Sequence, residues 1–394
     1  MKEAVFVSAV RTPIGRYMGS LKTVRIQDLA AHTMKAAINR AGIDSGALDM
    51  SIYSQSMQSS FPANVGRHAW TLAGFSEDPA GFTLNTLCAG ALQTIVSGFN
   101  KIVGEEYRGM LVGGVESYSL AQYYIFHPRY EFGPHSLCFN DSKVEIEKNA
   151  QPEEIYGELT AKSLADSIAS RYGLSRKALD TYTLRDYEKA LSAIGNGRAK
   201  GQIEPLTIKQ GKKEILVSDD ELPEAASLEE LMALTPDDEG GTATDGNVAP
   251  WADGAASLVM LSAERAEELG AKPVARMLGF GIAAGNPTLL ERTTARSINK
   301  ALSMCAMKLD DLDFLDLHTP SAAYGLAMQE MLGKASEKVN VDGGSLTLGH
   351  PGAATGGIMT TAMIHRLAGE KRRRGLINIG AFGGQSLSIV IEGC

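Results

Sequence analysis

Three short stretches in the first third of the chain recur, in the same order, near its end. A helix-compatible pattern ending at Ala41 leads into Leu48-Asp49-Met50, and another ending near Met307 leads into Leu312-Asp313-Phe314. Thr86-Leu87-Cys88-Ala89-Gly90-Ala91 faces Leu348-Gly349-His350-Pro351-Gly352-Ala353, and Arg108-Gly109-Met110-Leu111 faces Arg374-Gly375-Leu376-Ile377. The separations of 48 from 312, 88 from 350 and 108 from 374 are 264, 262 and 266 residues. Ordered matches at a nearly constant separation are an internal repeat, which constrains the fold before any single element is assigned. The repeat predicts two similar halves related by a pseudo-twofold axis. Such an axis brings equivalent turns to one central cleft, and Cys88 and His350 occupy equivalent strand-to-helix turns.

Within each half, apolar runs alternate with amphipathic stretches. Residues 4–10 read as a buried strand, and 26–41 as a helix whose apolar side is Ile26, Leu29, Ala30, Met34, Ala37 and Ile38, stopped by Gly42. Strand patterns follow at 48–54, 81–87 and 110–114, with helices over 65–72 and 89–103. The alternation returns at 255–261 and 274–280, a helix around 295–305, a strand at 314–317, a helix at 321–333, and strands at 375–380 and 386–392. This predicts an α/β fold with a largely parallel core sheet. From about 119 to 247 the alternation fades, leaving helices at 158–172 and 176–193. That region reads as a loop subdomain inserted in the first half, and its acidic run Ser218-Asp219-Asp220-Glu221 as a solvated loop. The expected division is 1–265 for the N-terminal half with its insertion and 266–394 for the C-terminal half.

The 394 residues suffice for two or three domain-sized units, and a net charge of -8 gives no reason to expect nucleic acid or an anionic membrane as partner. Cys88, Cys138, Cys305 and Cys394 have no CxxC spacing, and no two of the seven histidines have ligand spacing. Neither a disulfide framework nor a metal site is expected. Met1-Lys2-Glu3 runs directly into a strand, and no segment is apolar for long enough to span a bilayer. The expectation is a soluble, cytoplasmic protein.

Cys88 lies where a strand passes into a small-residue helix start. Backbone N–H groups and the helix dipole at such a junction favour the thiolate, the nucleophilic form. His350, fixed between glycine and proline, would activate it, because a Cys–His pair raises the thiolate population near neutral pH.

With these residues in place, the chain resembles the thiolase superfamily over essentially its whole length. Arg11-Thr12-Pro13-Ile14-Gly15, Asn85-Thr86-Leu87-Cys88-Ala89-Gly90, Gly113-Gly114-Val115-Glu116-Ser117, Asp245-Gly246-Asn247 with Asp253-Gly254-Ala255-Ala256, and Gly349-His350-Pro351-Gly352-Ala353 each match a family motif. The resemblance implies two α/β halves in α-β-α-β-α layers. It implies acyl-CoA esters as substrates with no tightly bound cofactor, an acyl group carried on Cys88, and activation by His350. It implies an oxyanion hole from the Cys88 N–H and the terminal loop at Gly380, Gly383 and Gly384. Substrate or CoA contacts are expected at Asn247, Ala249 and Ser321. It also implies a homodimer or homotetramer, with a partner subunit as a further option.

Three positions depart from the family. The NEAF motif is replaced by His318-Thr319-Pro320-Ser321, whose histidine resembles that of the sterol-carrier-type thiolases and ketoacyl synthases; it is expected to bind the enolate oxygen and is one candidate to move the α-proton. The second cysteine of the CxGGG loop is replaced by Gly380, and Phe382 resembles a synthase gate residue. Ala249 stands where a pantetheine-contacting serine is common. Three functions are therefore carried forward. They are thiolase-type carbon–carbon bond formation or cleavage, decarboxylative condensation at a Cys-His-His site, and a thiolase-like subunit without turnover of its own. The basic run Lys371-Arg372-Arg373-Arg374 reads as a solvated face.

Overall fold

A computed structural model describes residues 2–126, 138–222, 227–368 and 373–394; Lys371 and Arg372 of the basic run lie outside them. The frame is a ten-stranded mixed sheet. The first half contributes β1 (Ala4–Arg11), β2 (Met50–Ser54), β3 (Ala80–Leu84), β4 (Gly109–Ser117) and β5 (Ala252–Ser262). The second contributes β6 (Ala275–Ala284), β7 (Phe314–Leu317), β8 (Arg374–Ala381) and β9 (Gln385–Gly393). Neighbours run β7-β8-β9-β6-β1-β5-β4-β2-β3, and the short strand Gly15–Arg16 pairs with β5.

Outward from the β1/β6 seam, β1-β5-β4-β2 on one side mirrors β6-β9-β8-β7 on the other. The seam is narrow, joining Val5 to Arg276 and Phe6 to Ala275. Each arm carries a bulge, between Phe6 and Ser8 in β1 and between Met277 and Gly279 in β6. The repeated Asp of each half does the same work. The Asp49 carboxylate accepts the Arg108 N–H at 2.7 Å, and the Asp313 carboxylate accepts the Arg374 N–H at 2.8 Å.

The expectation of a largely parallel sheet is corrected. Only β2–β3, β2–β4 and β7–β8 are parallel among the named pairs. The pairs β1–β5, β4–β5, β6–β9 and β8–β9 are antiparallel. For the β8–β9 pair the cause is connection length, while β4 and β5 pair antiparallel across the long insertion. A helical crossover returns a strand in parallel, but β8 and β9 are joined by the turn at 382–384, and a short turn forces antiparallel pairing.

The longer helices are α1 (Ile26–Ala41), α2 (Val65–Leu72) and α3 (Gly90–Val103); α4 (Ser142–Lys148), α5 (Ala161–Tyr172) and α6 (Arg176–Gly195) in the insertion; and α7 (Leu290–Met304), α8 (Ala322–Leu332) and α9 (Thr355–Leu367). Leu29, Met34 and Trp70 of α1 and α2 pack on Val7 and Tyr53, covering the outer face of the first arm. Ile298, Leu302 and Met328 of α7 and α8 cover the second arm against Leu315 and Val390. Between the arms, Leu92 and Ile95 of α3 meet Met363 and Ile364 of α9, with Val112 and Ile377 on either side. The layers are therefore α-β-α-β-α. Each fully buried Leu or Ile in them contributes about 1.5–3 kcal/mol. Because α3 and α9 sit in the shared middle layer, the turns that open them face each other.

The acidic run is not a solvated loop. Asp220 holds Arg11 through two hydrogen bonds of 2.6 and 2.8 Å and accepts the Ile14 N–H at 2.8 Å, and both charged side chains are buried. Glu221 accepts the backbone N–H groups of Arg16 and Ser20. The loop after β1 presents unpaired donors, and the acidic run satisfies them. Among the described residues no helix is long and apolar enough to cross a membrane.

Candidate active site

The two central turns are built alike. After β3, Leu87–Ala89 forms a 3₁₀ turn that opens α3; Gly352–Ala354 forms the same turn before α9. Leu87 is held at φ 51°, a left-handed conformation costly for a branched apolar residue. Asn85 offsets that cost, accepting the Leu87 N–H at 2.9 Å while its amide donates to the Ser56 carbonyl. Both turns rest on Glu116, whose carboxylate accepts N–H groups from Ser56, Met57 and Ala353, and the Ser56 hydroxyl. Gly352, at φ 39°, is required there, since a Cβ would stand 2.8 Å from Cγ of Glu116.

This packing places Nε2 of His350 3.1 Å from Sγ of Cys88 and Nδ1 2.7 Å from the Thr355 hydroxyl. The His350 N–H donates to the Pro250 carbonyl at 2.8 Å, which fixes the loop carrying the ring. His318, just past β7, stacks on His350 with centroids 4.2 Å apart and planes at 27°. Its Nδ1 lies 2.9 Å from the Ser345 hydroxyl. All three side chains line one cavity of about 870 Å³.

In the resting site, burial opposes the expected thiolate. Burial pushes the Cys88 thiol up to about 12, outweighing the N–H groups of Phe382 and Cys88 itself, which pull it down. Burial also lowers His350 to about 4. Burial therefore favours a neutral thiol–imidazole pair over a separated charge pair, which would be costly to hold out of water. His318 is held well below its usual value by burial and by the neighbouring His350, and is neutral.

Gly380 and Phe382 line the cavity beside Cys88; Gly383 and Gly384 do not, forming instead the β8–β9 turn at φ 77° and 74°. A Cβ on Gly384 would meet the Gly285 carbonyl at 2.2 Å. Ala249 and Ser321 line the cavity, with Ser321 also capping α8 by accepting the Tyr324 N–H. Asn247 is not brought to the site. Its amide donates to Asp180 and to the Thr242 carbonyl, and its oxygen accepts the Thr244 N–H, so the side chain is consumed in anchoring the insertion.

Sequence reasoning passed over Ser345 and Thr355, the hydroxyls that orient the two imidazoles. No motif carries them. It also passed over Glu147, on α4, whose carboxylate lines the cavity, accepts the Ala161 N–H at 3.0 Å and is raised by burial. Tyr118 and Trp251 stack at 5.7 Å on the cavity wall. Among the described residues no group of three or more His, Cys, Asp or Glu is placed to hold a metal ion.

Two catalytic-type turns facing each other across a doubled α/β frame define a class, and comparison with known proteins identifies it. Residues 4–264 match the thiolase N-terminal domain and residues 271–393 the thiolase C-terminal domain. The chain is 37% identical over 399 residues to a beta-ketoadipyl-CoA thiolase of Pseudomonas aeruginosa, covering all of both chains. It superposes on an acetyl-CoA acetyltransferase of Bacillus anthracis at TM-score 0.94 and 32% identity, covering 100% and 99% of the two chains. A human mitochondrial 3-ketoacyl-CoA thiolase in complex with CoA superposes at TM-score 0.92 and 26% identity, covering 100% and 98%. The chain belongs to the thiolase family and is an acyltransferase.

Proposed function

We propose that the chain makes or breaks a carbon–carbon bond next to an acyl-CoA thioester, through an acyl group carried on Cys88. The observation that carries this reading is the 3.1 Å approach of the His350 imidazole to the Cys88 thiol inside the cavity. Cys88 attacks the thioester carbonyl as its proton passes to Nε2 of His350, CoA leaves with that proton, and an acyl-Cys88 thioester remains. The Cys88 N–H and the strand end from Gly380 to Phe382 supply donors for the carbonyl oxygen as it becomes an oxyanion. A second acyl-CoA, deprotonated at its α-carbon, then attacks the acyl group and releases the Cys88 sulfur. Cleavage is the same path reversed.

A decarboxylating variant has one observation in its favour, a second imidazole stacked on the first. Donor choice separates the two. Enzyme loaded with an acyl group is offered acetyl-CoA or malonyl-CoA, and the 3-oxoacyl product is measured. Product from acetyl-CoA supports the thiolase-type reaction; product from malonyl-CoA alone overturns it. Intact-protein mass spectrometry supplies the prior step. Incubation with acyl-CoA adds one acyl mass, absent in C88A. Folded protein that never labels indicates a thiolase-like subunit without turnover of its own.

A further inference from the structure

The second half-reaction needs a group to take a proton from the α-carbon, and Gly380 has no side chain to offer. Space is short there as well, since a Cβ at Gly380 would lie 3.1 Å from both Leu290 Cγ and Thr294 Oγ1. The hydrogen bonds around His318 identify another group. The Ser345 hydroxyl has three neighbours: the Thr319 N–H at 2.9 Å, the Thr319 carbonyl at 3.1 Å and His318 Nδ1 at 2.9 Å. The N–H can only donate and the carbonyl can only accept. Thr319 is 2% exposed, and its carbonyl has no other hydrogen bond among the described residues. Turning the Ser345 proton toward His318 would strand that carbonyl at a cost of about 1–3 kcal/mol. The arrangement that satisfies every group sends the Ser345 proton to the Thr319 carbonyl and leaves the serine oxygen to accept twice. His318 therefore carries its proton on Nδ1.

In a neutral ring so arranged, Nε2 is a bare lone pair. Among the described residues it has no hydrogen-bond partner, and it is not one of the buried polar atoms without a partner, so it opens onto the cavity. The segment is braced from behind. Asn340 donates to the Leu317 carbonyl and the Thr319 hydroxyl, and its oxygen accepts the Leu317 N–H.

We propose that Nε2 of His318 is the base that moves the α-proton, with Ser345 the positioning residue that fixes its tautomer. The role rests on the acyl-Cys88 reading. The His318 lone pair forms the new N–H bond while the C–H pair becomes the enolate, which attacks the acyl carbonyl. The Cys88 sulfur leaves with its bonding pair. One proton is taken at carbon and one returns to sulfur, so no outside reagent is required. Of the two roles the sequence leaves open for His318, donor to the enolate oxygen and mover of the α-proton, this selects the second, since the first needs the proton on Nε2.

The two roles differ in what asparagine can replace. Its amide can donate to an oxyanion but cannot act as a base. The experiment compares wild type, H318N, S345A and S345T in D2O, measuring deuterium uptake into the methyl group of acetyl-CoA and, separately, acyl loading of Cys88 by mass spectrometry. General-base loss predicts that H318N exchanges at least about 100-fold more slowly while Cys88 still loads. S345A slows exchange while loading is kept, and S345T, which retains the hydroxyl, restores it. Exchange in H318N within a few-fold of wild type overturns the base role in favour of the oxyanion donor. Wild-type protein that never loads Cys88 overturns the acyl-enzyme reading itself.

Discussion

His350 touches Cys88 through one nitrogen and Thr355 through the other, and neither contact neutralises a charge on the ring. A buried imidazole so placed is cheap to keep neutral and expensive to ionise, which suits a proton acceptor that works only once a substrate carbonyl arrives. The linkage has a definite sign. The folded value, about 4, lies below the unfolded value of 6.5, so His350 contributes stability that is present above pH 6.5 and lost as pH falls toward 4. The buried carboxyls Glu116 and Asp186 are raised by burial and act in the opposite sense, so comparison with a variant is needed to isolate the histidine. Between pH 7 and pH 5, wild type should lose about 2 kcal/mol more than H350N, measured by urea unfolding at each pH. Equal losses would show that the ring is solvated. At this scale Cys88, His350 and His318 were legible because each sits in a strand-to-turn motif. Ser345 and Thr355 were not, since their meaning lies in which nitrogen each faces. Asn247 misled for a related reason: a motif preserves residues that hold the frame as well as those that meet substrate.

Elements, rather than residues, decide where the insertion sits. Its helices α5 and α6 follow ordinary capping signals. Thr160 and Ser175 accept N–H groups at their starts, and Gly173 ends α5 in a left-handed conformation. Those were readable along the chain. The docking was not, because Asp220 is charged and its run resembles solvated loop until the loop after β1 is brought against it. The Arg11–Asp220 pair joins the insertion to the end of β1, with both side chains under 5% exposed. A buried pair is costly to break from one side, since the remaining charge is left without its partner. D220A should therefore destabilise by about 3–5 kcal/mol, read from denaturant midpoints, and R11M/D220A should recover much of the loss. A D220A change below about 1 kcal/mol would place the pair in solvent-like surroundings.

The molecule as a whole is a duplication whose two arms meet through a narrow seam and a shared middle layer. The repeat in the sequence conveyed the pseudo-twofold and the approach of Cys88 to His350. It could not convey strand direction, because an apolar run reads the same whether its neighbour is parallel or antiparallel. If the two arms are physical equivalents, equivalent residues should carry similar energies. Asp49 and Asp313 test this, each accepting the N–H of the arginine that opens the neighbouring strand, with Asp49 accepting a second bond from the Gly109 N–H at 2.8 Å. They lie on β2 and β7 sides of the sheet, toward opposite edges. Both are exposed, so D49A and D313A should each cost about 1 kcal/mol, D49A the more because it loses two bonds. The double variant should equal the sum to within about 0.5 kcal/mol, as expected for distant sites without a shared partner. A non-additive term above about 1 kcal/mol would mean that the arms communicate through the middle layer and that the halves are one cooperative unit at their outer edges as well as at their centre.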